Sequence, residues 1–162
     1  MTEKNDTKQL IDRLEATRNL SRDEWIRLIQ NRTADDADYL FERAQAVRTR
    51  HYGRSVYIRG LIEFTNYCKN DCFYCGIRKS NRNANRYRLT KEQILSCCEM
   101  GYALGFRTFV LQGGEDGSFT DDRLTDIISS IRTRWRACAI TLSVGERSYE
   151  SYKRLYDAGA NR

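Results

Sequence analysis

The spacing of hydrophobic and polar positions changes near residue 55 of the chain. Before that point it is helical. Leu10, Ile11 and Leu14 mark a weak helical stripe within residues 1–20, which otherwise read as a mobile polar lead-in. Ser21, with Glu24 three residues on, is a capping box, and Trp25, Leu28 and Ile29 follow at helical spacing. Thr33 is placed to cap a second helix with Ala37, Leu40, Phe41, Ala44 and Val47 on one face and Gly53 beyond its end. Two short helices are thus expected before the first strand, packing against the end of a barrel.

From Ser55 onward strand-like segments alternate with helical ones. Val56 to Phe64 is β-branched and apolar enough for a buried strand. Thr90 to Gly105 reads as a helix opened by a Thr90/Gln93 capping box, and Arg107 to Gln112 as a second strand. After the loop Gly113-Gly114-Glu115-Asp116-Gly117 comes a helix from Thr120 to about Arg134, with Leu124, Ile127, Ile128 and Ile131 on its apolar face. Ala137 to Ser143 is a third buried strand, and Tyr149 to Ala158 a helix ending at Gly159. This alternation predicts an α/β fold of parallel strands with right-handed crossovers. Polar, chemically capable residues follow the strands' C-terminal ends, where α/β barrels place their active sites. A closed barrel takes about 250 residues, and only three β/α units are visible in these 162. Residues 1–54 are therefore expected to form a helical lead-in, and residues 55–162 the N-terminal part of an incomplete barrel.

Composition adjusts this picture in three ways. Hydrophobic residues make up 40% of the chain, enough for a domain core. The N-terminus has no apolar leader and no run reaches membrane-spanning length, so a soluble cytoplasmic protein without a membrane partner is expected. In that setting six cysteines point to free thiols available for metals or chemistry rather than to disulfides. The net charge of +6 is spread along the chain and suits a solvated surface. Its densest basic stretch contains Arg78, Lys79, Arg82, Arg86 and Arg88 around Tyr87. That pattern is compatible with nucleic acid, but its position directly after three cysteines better suits compensation of an anionic ligand or cluster.

Those cysteines, Cys68, Cys72 and Cys75, share one loop after the first predicted strand. Three thiolates on a four-iron cluster leave one iron open, which the amino and carboxylate groups of S-adenosylmethionine can chelate. Structural zinc and plain buried thiols are the alternatives. Zinc wants a fourth ligand, and the only histidine, His51, lies upstream in a predicted helix. Cys97, Cys98 and Cys138 show no ligand spacing and are assigned to packing. In Gln112-Gly113-Gly114-Glu115 the glycines allow a backbone to approach a ligand, and Glu115 offers a carboxylate for the methionyl ammonium of S-adenosylmethionine. Thr141 and Ser143 alternate on one face of the third strand, the interior face in a barrel. Glu146 follows, suited to a ligand or to the start of the next helix.

Four runs, Asn66 to Gly76, Asn85 to Thr90, Leu111 to Asp116 and Thr141 to Glu146, together resemble the HydE family of radical SAM enzymes. These are maturases of FeFe-hydrogenase, related to biotin synthase and methylornithine synthase. The resemblance extends from about residue 21 to residue 162. It implies a radical SAM TIM-type (β/α) barrel, here its N-terminal helices and first three β/α units. It implies a 4Fe-4S cluster on Cys68, Cys72 and Cys75, and S-adenosylmethionine held by Gln112, Gly113, Gly114, Glu115, Thr141, Ser143 and Glu146 with Tyr74 against the adenine. The implied reaction is reductive cleavage of S-adenosylmethionine to a 5'-deoxyadenosyl radical during assembly of the hydrogenase H-cluster. The implied partners are a small-molecule or organometallic substrate and other hydrogenase maturases, with nucleic acid not expected. The loop Gly117-Ser118-Phe119 departs from the family, which usually carries a proline and tyrosines there.

Overall fold

A computed structural model describes residues 3–162; Met1 and Thr2, the start of the predicted lead-in, lie outside the described residues. Three helices open the chain: α1 (Glu3–Thr17), α2 (Arg22–Gln30) and α3 (Ala34–Tyr52). The lead-in is thereby corrected to a folded helix. Its sparse stripe suffices because Leu10 and Ile11 bury against Leu20 and Leu28, with Leu14, Tyr39 and Leu40 packed around them. Polar contacts fix the arrangement: Arg27 pairs with Asp6 at 2.8 Å, and the Tyr39 hydroxyl donates to Asp12 at 2.7 Å. Capping boxes form at Ser21/Glu24 and at Thr33, where Asp36 is the reciprocal partner. Gly53, with φ of 60°, ends α3.

The chain divides into two compact units, the first closing at Val56 and the second running Tyr57–Arg162. The second contains β1 (Gly60–Thr65), α4 (Lys91–Ala103), β2 (Thr108–Gly113), α5 (Asp121–Arg134), β3 (Ala139–Ser143) and α6 (Tyr149–Asp157). The strands form a parallel sheet in the order β1-β2-β3, the incomplete α/β barrel expected from the sequence. β1 begins later than its β-branched run suggests. The first residue with a partner is Gly60, opposite Phe109, so residues 56–59 lie outside the ladder, and Val56 and Ile58 are exposed.

Register divides the sheet into two faces. Ile62, Phe64, Phe109, Leu111 and Ile140 point to the helices and bury with Ile94, Leu95, Cys98 and the α5 residues Leu124, Ile127, Ile128 and Ile131. The opposite face carries two cross-strand rows, Leu61–Val110–Thr141 and Glu63–Gln112–Ser143. Beside β3, the Asn161 N–H donates to the Ile140 carbonyl at 2.9 Å and the Leu142 N–H to that of Arg162 at 2.9 Å, so extended chain follows β3 on the edge away from β2. Cys98 and Cys138 are buried in the core and Cys97 packs against it. Burial pushes the Cys98 thiol up to about 12 and also raises that of Cys138, as expected of structural cysteines. Among the described residues no helix is long and apolar enough to cross a membrane.

Candidate functional site

At the end of β1 the chain enters a loop that returns at Arg88, where an isolated bridge pairs Thr65 with Arg88. Arg86 closes the neck of this loop. Its guanidinium donates to the carbonyls of Asn66, of Ile77 at 2.9 Å, of Arg78 at 2.7 Å and of Asn81 at 3.2 Å. Asn66 reinforces the closure by donating to the Asn85 carbonyl (2.6 Å) and accepting from the Tyr87 N–H (2.8 Å). The Leu89 N–H donates to the Phe64 carbonyl at 2.8 Å. A planar cation with several fixed donors suits this task, because one side chain satisfies carbonyls from both arms of the loop.

All three sequence-predicted cluster ligands sit in this loop. Cys68 and Cys75 are half-buried and Cys72 is exposed; all are unpaired thiols. The Cys75 N–H donates to the Cys72 carbonyl at 3.0 Å, forming a turn with Phe73 and Tyr74 almost fully exposed at its tip. Among the described residues no three His, Cys, Asp or Glu side chains are drawn together as a metal-binding group. The donors are nonetheless the right kind for iron and sulfide. The turn bearing Cys72 is exposed and anchored only within its own loop, so closing it around a cluster disturbs no core packing.

Three cations of the basic stretch are engaged within the fold, while Lys79 and Arg82 are exposed. Arg78 donates to the Cys75 carbonyl, Arg86 closes the loop, and Arg88 pairs with Asp116 through Nε (2.6 Å) and Nη2 (2.9 Å). The Arg88 guanidinium also lies 3.7 Å from the centre of the Tyr67 ring. The Asp116 side chain is 3% exposed and accepts further from the Thr65 hydroxyl (2.8 Å) and the Ser118 N–H (3.0 Å). Burial alone would raise its pKa, but the hydrogen bond from Arg88 and those from Ser118 and Thr65 hold it at about 2.

The loop after β2 nests against the cysteine loop, and its glycines make that possible. A Cβ on Gly113 would lie 2.7 Å from Thr65 Cγ2, and one on Gly114 would strike the Tyr67 carbonyl and approach Cys68 Cβ to 2.8 Å. The two glycines therefore let Gly113 sit against the end of β1 and Gly114 against the cysteine loop. Glu115 is held between elements as well. Its carboxylate receives Lys69 Nζ at 2.9 Å and Asn70 Nδ2 at 2.7 Å, and a Cβ on Gly145, whose φ is +78°, would collide with it. The hydrogen bond from Lys69 is the largest cause of its lowered pKa, with the Glu146 backbone N–H contributing.

The remaining predicted residues line the open side of the sheet. Gln112 and Ser143 are exposed in one row, and the half-buried Thr141 keeps a buried hydroxyl with no protein partner. Glu146 is exposed after Gly145. Sequence reading missed Glu63, which completes the row of Gln112 and Ser143; its even spacing from Leu61 was the available signal. Arg86 and Arg88, expected to compensate an anionic ligand or cluster, are instead spent on backbone carbonyls and on Asp116, a partner that only contacts across the fold reveal. Two cavities flank the Glu115 loop. One of about 290 Å³ is lined by Lys69, Glu115, Val144, Glu146 and Arg147, and one of about 190 Å³ by Glu63, Asn66, Tyr87, Gln112 and Gly113. A larger groove of about 940 Å³ lies in the first unit, among Glu15, Arg43, Arg50 and His51, and contains none of these residues.

No protein-family model matches the chain. It is 41% identical to the FeFe hydrogenase maturase subunit HydE of Thermotoga maritima over 123 residues, 76% of this chain and 35% of that protein. It is 28% identical to 3-methylornithine synthase of Methanosarcina acetivorans over 144 residues, covering 88% of this chain and 41% of that one. In fold it matches the crystal structure of HydG, a maturase of the FeFe-hydrogenase, with a TM-score of 0.84 and 24% identity over 96% of this chain and 36% of that chain. The chain thus spans 35% and 41% of the lengths of these two curated relatives.

Proposed function

The chain belongs to the radical SAM family that includes the maturase HydE, methylornithine synthase and biotin synthase, and we propose that Cys68, Cys72 and Cys75 hold a 4Fe-4S cluster beside S-adenosylmethionine. Its relatives are radical SAM enzymes, which generally use these two cofactors. The observation that carries the reading is the joining of two loops at one end of the sheet. Arg86 closes the cysteine loop, and the Asp116–Arg88 pair and Gly114 hold it against the loop bearing Glu115. The loop that carries the three thiols is thereby held beside a positioned carboxylate, at the end of the sheet where α/β barrels carry their chemistry.

When bound, the cluster supplies an electron that cleaves a carbon–sulfur bond of S-adenosylmethionine, giving methionine and a 5'-deoxyadenosyl radical. This chain's residues bind and orient. Glu115, fixed by Asn70, offers its carboxylate to the methionyl ammonium. Gln112, Ser143 and the unpartnered Thr141 hydroxyl supply hydrogen bonds on the open face, and Glu146 lies beside the larger of the two flanking cavities. Tyr74, exposed at the tip of its turn, is free to lie on the adenine. Gly114 contributes by letting the two loops touch, and Gly113 by letting the end of β2 close on β1.

Greater identity to HydE than to methylornithine synthase favours a part in hydrogenase maturation, with a small-molecule or organometallic substrate and other maturases as partners. Anaerobic reconstitution with iron and sulfide tests the central claim. About four irons per chain are expected, with the absorption and paramagnetic signals of a cluster that S-adenosylmethionine perturbs. Cys68→Ala, Cys72→Ala and Cys75→Ala should each lose the cluster, while Cys138→Ala retains it. Zinc bound at equal or higher occupancy, or iron retained in all three loop variants, overturns the proposal.

A further inference from the structure

Glu115 already holds a cation. Lys69 Nζ lies 2.9 Å from Oε2, while Asn70 Nδ2 occupies Oε1 at 2.7 Å. The partners differ in how firmly they are held. The Glu115 side chain is 17% exposed, braced against Gly145 and kept in place by Asn70; that of Lys69 is 69% exposed. The Lys69 backbone is secured independently, its N–H donating to the Glu115 carbonyl at 3.0 Å. Its ammonium can therefore swing away without loosening the cysteine loop. The result is a fixed anionic seat with a removable, tethered occupant.

We infer that the Lys69 ammonium is an internal competitor for the seat that Glu115 offers to a ligand's ammonium, and that ligand binding displaces it. This deepens the proposed function and rests on its assignment of Glu115 to S-adenosylmethionine. With Lys69 already on Oε2, a second ammonium on the same carboxylate would meet a like charge at close range, so the incoming ammonium replaces the mobile partner. Exposed ion pairs are weak, which makes displacement easy and its effect on affinity modest. Lys69 also makes the seat selective. A ligand without an ammonium meets a neutralised carboxylate and gains nothing by entering, whereas an amino acid headgroup exchanges one cation for another.

The test is titration of the reconstituted, reduced full chain with S-adenosylmethionine, followed by the change in its paramagnetic spectrum. Lys69→Gln should bind about two- to five-fold more tightly than wild type, the range corresponding to loss of an exposed pair. Lys69→Arg, which keeps the pair, and Lys79→Gln, which removes another exposed cation of the same loop, should stay at the wild-type value. Unchanged or weaker binding by Lys69→Gln, equal tightening by Lys79→Gln, or loss of the cluster in Lys69→Gln each overturns the competitor role. Glu115→Gln separates the two levels of inference. If it binds as wild type, the assignment of Glu115 itself fails; if it binds more weakly while Lys69→Gln does not tighten, only the competitor role fails.

Discussion

The two faces of the same three strands are built to opposite ends. Toward the helices, Ile62, Phe64, Phe109, Leu111 and Ile140 are buried, and Phe64 packs against Phe119 with tilted rings whose centres are 4.5 Å apart. Away from the helices, Glu63, Gln112 and Ser143 are exposed, and Thr141 keeps a hydroxyl with no protein partner. Since successive side chains of a strand alternate faces, each strand contributes to the core and to a polar open surface at once without compromise between them. The loops at the strand ends then decide which chemistry the open face serves.

The largest effect should come from the helix side. Phe109→Ala removes a fully buried aromatic ring and should cost about 3–5 kcal/mol in urea unfolding. An intermediate effect belongs to the link between the cysteine loop and the loop after β2. Asp116→Asn leaves Arg88 without its anion, and because Arg88 is itself 37% exposed the loss should be at the low end for buried pairs, about 3 kcal/mol. The pH dependence has a definite sign. The folded pKa of about 2 lies below the ordinary 3.8, so the stabilisation is fully present above the ordinary value and is lost as pH falls from there toward 2. Wild-type stability measured by acid titration should decline more steeply across this window than that of Asp116→Asn. The smallest stability effect should be on the open face. Gln112→Ala should shift stability by about 0.5 kcal/mol or less, yet weaken the binding of S-adenosylmethionine in the same spectroscopic titration. A large loss of stability there would erase the contrast between the faces.

Much of the framework was legible because it is local. The Thr90/Gln93 and Ser21/Glu24 boxes, the Gly53 stop and the apolar face of α5 are set by residues three or four apart, and each appears in the structure. The segment 56–59 misled because β-branching reports a fit to a pleated surface, while strand formation also requires a neighbour, and β2 supplies none upstream of Gly60. The first helix was undervalued for the converse reason: its stripe is sparse, and α2 and α3 complete its core.

The sequence by itself determined the order of elements, the grouping of Cys68, Cys72 and Cys75 in one loop, and the position of Glu115 after a strand, since periodicity, capping and spacing are all carried by neighbouring residues. Only the tertiary structure decided how those pieces meet. It gave Arg86 to four carbonyls and Arg88 to Asp116, and it set Lys69 on Glu115. It also showed that Gly114 makes room for the cysteine loop. Within the cysteine loop the Arg86 contacts reach 5 to 20 positions, while Arg88 meets Asp116 across 28, and these partners are fixed by how the loops close over the sheet, which no local pattern records.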